Sequence, residues 1–313
     1  MSSQQPVASG RVPVIDLTDH LAGRPGAEEA AAAELGRALR EVGFFSIVGH
    51  GVDWDEVEAI YDLAARYHRL PEEAKLAHPM SASTMGYVAL GGARRPGRPH
   101  ALNAAFFMGR PGSKRNRFPD EALLAGFEAQ VSAYYRRLEA LCGRLLPLYA
   151  RAAGMDRDHF GPCFDPALAT LRLTHYPAVP AEEDQWGIDP HSDAGFMTLL
   201  PANPVAGLQI RPEGADWFDV IQEPRSFVVN AGDTLRRWSN DVFRSTMHRA
   251  TNTAGVDRYA IPFFFDPRVD TVIECLDGCR DAEHPPRHEP IVYRDYLRAF
   301  MNEGYAQLAL GVS

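Results

Sequence analysis

From Glu121 to Ala152, apolar residues fall at Leu124, Phe127, Val131, Tyr134, Leu138, Leu141, Leu145 and Leu148, in steps of three and four. This period predicts one long helix with a core-facing stripe. Upstream, "VPVIDL" (12–17) predicts a short strand, and "AEEAAAAELGRALREVG" predicts an Ala-rich helix stopped by Gly43. "GFFSIVGHG" (43–51) predicts a buried strand closing on a turn, followed by a helix from about Asp53 to Arg66. "LPEEAKL" starts another helix, with Pro71 near its first turn. The stretch 86–120, rich in Gly, Pro and Arg, reads as a long loop region of the kind that forms lids.

After about residue 168 the period changes. "ATLRLTHYP" (169–177), "FMTLLP", "GLQI", "WFDV", "SFVVNAG" and "RYAIPFFF" are short runs, many β-branched or aromatic, separated by Gly, Pro, Asn or Asp. Close-spaced short strands predict a sandwich or barrel. "YRDYLRAFMNEGY" returns to helix near the end. With no internal repeat and no linker, all of 1–313 reads as a single domain: mainly β, with flanking helices.

Composition narrows the function classes. The chain has 313 residues, of which 45% are hydrophobic and 23% charged, the balance of a water-soluble globular protein. A net charge of -9 argues against a general nucleic-acid or anionic-membrane partner. No stretch has the length of a membrane span, and the first residues lack the apolar core of a secretory signal. Cys142, Cys163, Cys275 and Cys279 lack the spacing of a disulfide scaffold, although Cys275 and Cys279 could join a metal site. The expectation is a cytoplasmic monomer.

The chemistry sits in the second half. "HSDAGFMTLL" (191–200) opens with His191 and Asp193; in a strand, residues two apart aim at one spot. A third ligand must come from elsewhere, and His248 lies in another strand-like segment. Two histidines and one carboxylate form the ligand set of non-haem Fe(II) oxygenases; they also suit catalytic zinc. A capping aspartate beside a surface histidine is the blander reading. Arg258 opens an otherwise apolar strand, and alternation places it with Ala260, Pro262 and Phe264 on one face. An inward arginine needs an anion, either a bidentate carboxylate from a small dicarboxylic acid or one of the chain's own acids. The same parity aligns Thr170, Arg172, Thr174 and Tyr176.

The ordered set of H-x-D (191–193), "GLQI", "VVNAGD" (228–233), "WSNDVFRSTMHR" (238–249) and "RYAIPFFF" resembles the iron(II)/2-oxoglutarate-dependent dioxygenases of the isopenicillin N synthase type. "VPVIDL", "REVGFFSIVGHGV" and "LPEEAK" resemble that family's N-terminal region. The resemblance implies a double-stranded β-helix (jelly roll) core at 168–268 and a helical N-terminal region at 12–118. It also implies that His191, Asp193 and His248 bind Fe(II), and that Arg258 holds the distal carboxylate of 2-oxoglutarate with Tyr176 nearby. O2 would oxidise a small molecule by hydroxylation, desaturation or cyclisation, with release of succinate and CO2. Thr170, Ile188 and Phe264 correspond to positions lining the substrate cavity of similar enzymes. Arg172 would pair with an acidic group of the substrate, or with an internal acid.

Two positions depart from the family pattern. Ala260 stands where the family usually has a serine that joins the arginine, and Thr174 stands where an asparagine is frequent. The alternatives are an oxidase of the same fold that consumes O2 without 2-oxoglutarate, a zinc hydrolase, and a binding or sensor protein. Among other polar residues, His50 reads as part of a structural turn, and His175 faces away from the site. His284 and His288 lie in a Pro-rich surface loop. Arg94, Arg95 and Arg98 read as a solvated loop face, or as a lid that guides an acidic substrate.

Overall fold

The computed structural model describes residues 10–92, 101–179, 185–252 and 254–304. Arg94, Arg95 and Arg98 lie outside the described residues.

The long helix is present at Phe127–Ala152, and its periodic apolar residues are buried as the spacing predicts. It begins six residues later than the pattern suggests. Gly126 sits at φ 72°, a left-handed conformation that breaks the helical run, while Leu124 is buried in the turn before it. The helix Ala27–Glu41 packs along it, and the helix Trp54–His68 starts at Asp53, whose side chain accepts from the Asp55 amide at 3.1 Å.

Two sheets face each other in a jelly roll. The larger runs in the order Val14–Asp16, Phe44–Val48, Phe227–Ala231, Met197–Pro201, Phe263–Asp266, Leu168–Tyr176, Ala104–Met108, Tyr87–Val88, with Arg258–Ala260 also pairing Leu168–Tyr176. The smaller runs Ile188–His191, Met247–Ala250, Leu208–Arg211, Phe218–Asp219. The N-terminal region contributes strands to the larger sheet: Phe44–Val48 pairs antiparallel with Phe227–Ala231. Its Phe44 side chain reaches the cavity between the sheets.

One segment corrects the sequence reading. The stretch 86–120 is not all loop: "AAFFM" (104–108) forms a strand paired along Leu168–Tyr176. Four of its five residues are buried, so tertiary packing overrides the surrounding Gly, Pro and Arg. A cavity opens between the sheets, and the candidate chemistry lines it.

Candidate active site

His191 and His248 stand directly opposite each other on antiparallel strands of the smaller sheet, with ring centroids 4.2 Å apart. Each ring is held by its Nδ1, which donates to a backbone carbonyl: Asp189 O at 2.7 Å and Thr246 O at 3.1 Å. That leaves both Nε2 atoms as lone-pair donors facing the centre. Asp193 differs from the sequence reading, because the strand ends at His191 and Asp193 lies in the irregular stretch beyond. Residues two apart in a straight strand would be separated by roughly 6.6 Å along the chain. Outside the strand, with the Asp233 amide donating to Asp193 O at 2.7 Å, Asp193 Oδ1 instead lies 3.6 Å from both Nε2 atoms. The ligand atoms of all three residues lie within 4.8 Å of one another.

The second carboxylate oxygen is committed elsewhere. Asp193 Oδ2 accepts from Thr198 Oγ1 at 2.6 Å and from Asn230 Nδ2 at 2.8 Å, so Oδ1 alone faces the histidines. Burial pushes the Asp193 carboxyl up, but the two histidines and the Thr198 hydroxyl outweigh it and hold the pKa below the usual range. For His248 burial pushes down, and the adjacent carboxylate wins, raising its pKa. A cluster that attracts positive charge this strongly, on one side of an open cavity, is suited to a divalent cation.

Arg258 lines the same cavity and is 2% exposed. Its Nε donates to Val205 O at 3.1 Å and its guanidinium lies 4.9 Å from the Tyr176 ring centroid. Its Nη1 is buried with no hydrogen-bond partner, and no carboxylate among the described residues pairs with it. Gly207, in the "GLQI" motif, has φ 147°; a Cβ there would collide with the Thr251 carbonyl and crowd the guanidinium.

Arg172, Ile188 and Phe264 line the cavity with Tyr176, Arg258 and the three candidate metal ligands. Thr170 shares their face but lies past Arg172, opposite Phe264, and does not line the cavity. His50, His175, His284 and His288 stay outside it: His50 bonds Arg225 O, His175 stacks on Tyr259, and the other two contact Asp281 and Asp241. Sequence reasoning missed Asn103, Thr198 and Asn230. Asn230 stands in the quoted "VVNAGD", so its position was visible but its partner was not.

Two family models match this chain. One, described as 2OG-Fe(II) oxygenase superfamily, covers residues 167–267, and one, described as non-haem dioxygenase in morphine synthesis N-terminal, covers 12–123. The chain belongs to the 2OG-Fe(II) oxygenase superfamily. Like others of this superfamily, it is an enzyme that uses Fe(II), 2-oxoglutarate and O2. It is 31% identical to a 2-oxoglutarate-Fe(II) type oxidoreductase of Emericella nidulans, over 94% of this chain and 90% of that one. A full-length Neurospora crassa protein in complex with alpha-KG and thymine superposes with a TM-score of 0.86 at 27% identity, covering 93% of this oxygenase and 96% of that chain. JOX2 in complex with 2OG, Fe and JA superposes with a TM-score of 0.80 at 27% identity, covering 96% and 88%. An oxygenase that does without 2-oxoglutarate and a zinc hydrolase are not favoured by these likenesses.

Proposed function

We propose that His191 Nε2, His248 Nε2 and Asp193 Oδ1 hold Fe(II), that Arg258 and Tyr176 hold the distal carboxylate of 2-oxoglutarate, and that the substrate is a small acidic molecule with an apolar body. The observation that carries this reading is the buried, unpartnered Arg258 Nη1 in the same cavity as the three converging ligand atoms. Leaving a buried guanidinium N–H unmet costs about 1–3 kcal/mol or more, and an incoming carboxylate removes that cost. Bound there, Fe(II) and 2-oxoglutarate would supply the activation of O2 for C–H oxidation, with succinate and CO2 as co-products. The chain's own residues orient and exclude. The carbonyls of Asp189 and Thr246 fix both imidazoles, Thr198 and Asn230 leave Asp193 one free oxygen, and Leu200, Leu208 and Val228 make the walls apolar.

In this reading residues 168–268 are the catalytic unit and 12–118 buttress it, as the Phe44–Val48 strand suggests. Four cysteines, none of them bridged, fit a reducing compartment such as the cytoplasm. The test is succinate release by anaerobically purified protein on addition of Fe(II), 2-oxoglutarate and air. Succinate formed only when all three are present supports the assignment; hydrolytic turnover with zinc and no succinate overturns it.

Thr198→Ala and Asn230→Ala should each weaken Fe(II) affinity about 10- to 100-fold, because Asp193 then rotates away from one-oxygen presentation. Competition with a coloured chelator measures it, and unchanged affinity in both variants would remove this role.

The acidic substrate is supported by Arg172, which lines the cavity and has no carboxylate partner among the described residues. Its Nε is buried without any partner. An acid accepted by the enzyme should be turned over at least about tenfold faster than its methyl ester, since the ester forfeits a charge-assisted pair. Equal rates for acid and ester would refute an anion anchor.

A further inference from the structure

Arg172 is held without a carboxylate among the described residues. On the surface arginines meet carboxylates, as in Arg110–Glu139, Arg137–Glu56 and Arg268–Asp270, whereas the cavity arginines Arg249 and Arg258 donate to an amide and a backbone oxygen. Arg172 likewise donates from Nη2 to the amide oxygen of Asn103 at 2.8 Å, and lies 5.1 Å from the centre of the Phe107 ring. Asn103 is 5% exposed, and its Nδ2 donates to Gly187 O at 2.6 Å. A carbonyl only accepts and a guanidinium only donates, so the Asn103 amide fits in one orientation. This contact orients the guanidinium without cancelling its charge.

The other end of the clamp reaches the metal side of the cavity. Gly187 immediately precedes the strand Ile188–His191, and a Cβ on it would lie 2.6 Å from the Tyr176 ring. Asn103 therefore ties Arg172 to the strand that ends in His191. One side chain thus bridges the anion anchor and the strand that carries His191.

We propose that Asn103 is a positioning residue that sets substrate specificity: its neutral amide fixes Arg172 while leaving the positive charge free for the carboxylate of the substrate. This rests on the acidic-substrate reading above and goes beyond it, because it makes the choice of amide over acid at residue 103 the determinant. Aspartate at this position would hold the same guanidinium but neutralise it. Alanine would release it while keeping its charge.

The test uses the full chain loaded anaerobically with Fe(II) and 2-oxoglutarate, titrated with phenylacetate, cinnamate and octanoate, each against its primary amide. Binding is read as a thermal shift. The wild type should bind at least one acid about tenfold or more tighter than its amide. Asn103→Asp should abolish that preference with amide binding unchanged, and Asn103→Ala should retain part of it. Arg172→Gln, which keeps a polar side chain, should abolish it as well and serves if the aspartate variant does not fold. A purely structural prop would give equal losses in Asn103→Ala and Asn103→Asp, for acid and amide alike, and that result overturns the proposal. So does a wild type that prefers no acid in the panel, or an Asn103→Asp protein that keeps the wild-type preference. Succinate release by the wild type separates the two failures: with succinate formed and no acid preference, the clamp falls and the oxygenase assignment stands.

Discussion

Replacing His191, Asp193 or His248 by alanine is expected to lower substrate oxidation by on the order of a thousandfold or more, with the fold intact. The three ligand atoms converge from one side of the cavity, leaving the opposite side for cosubstrate and O2. A three-ligand site has no spare member, and among the described residues the rest of the cavity lining offers no replacement carboxylate or imidazole. The fold should survive because the ligands lie between the sheets and outside the main hydrophobic core, which is built around the helix Phe127–Ala152. Asp193→Ala has the added effect of freeing Thr198 and Asn230, which both bond its carboxylate. Circular dichroism and iron content, measured beside turnover, check the prediction. A variant with full iron occupancy and near-wild-type rate would remove that residue from the site.

Much of this arrangement was legible in the chain because it depends on strand parity. Alternation placed Arg172 and Tyr176 on one face and Arg258 with Phe264 on another, and the antiparallel register Arg258↔Tyr176 joins the two faces in one cavity wall. Parity failed at Asp193, where irregular chain beyond the strand end sets the side-chain direction. It also failed for Thr170, which has the right face and lies opposite the cavity residue Phe264 but does not itself line the cavity. Asn103 was hidden for another reason. Its partners Arg172 and Gly187 are 69 and 84 residues away in sequence, and the strand that begins just after it is embedded in a Gly- and Pro-rich stretch. Local pattern carries no signal for such a contact. The same holds for Thr198 and Asn230, whose shared target is an oxygen that only the fold brings to them.

Arg258→Ala should weaken 2-oxoglutarate by about a hundredfold or more, whereas Ala260→Ser should tighten it by at most about tenfold. The guanidinium supplies the charge-assisted bonds, each worth about 1.5–3 kcal/mol, and Nη1 is already buried and unpartnered. A neutral hydroxyl added at residue 260 is worth only about 0.5–1.5 kcal/mol. The local geometry limits it further. Ala260 stands directly across the ladder from Thr174, which is fully buried and whose hydroxyl has no hydrogen-bond partner. Side chains opposite each other on one face are about 4.5–5.5 Å apart at Cβ, close enough for a new serine to bond Thr174 instead of the cosubstrate. The small effect at 260 and the large one at 258 therefore have one origin: charge, not hydroxyl count, dominates this carboxylate subsite. Saturation curves for 2-oxoglutarate, with succinate as the product measured and anaerobic binding as a second readout, decide between them. An Arg258→Ala enzyme that saturates at the wild-type concentration would place the cosubstrate carboxylate elsewhere in the cavity.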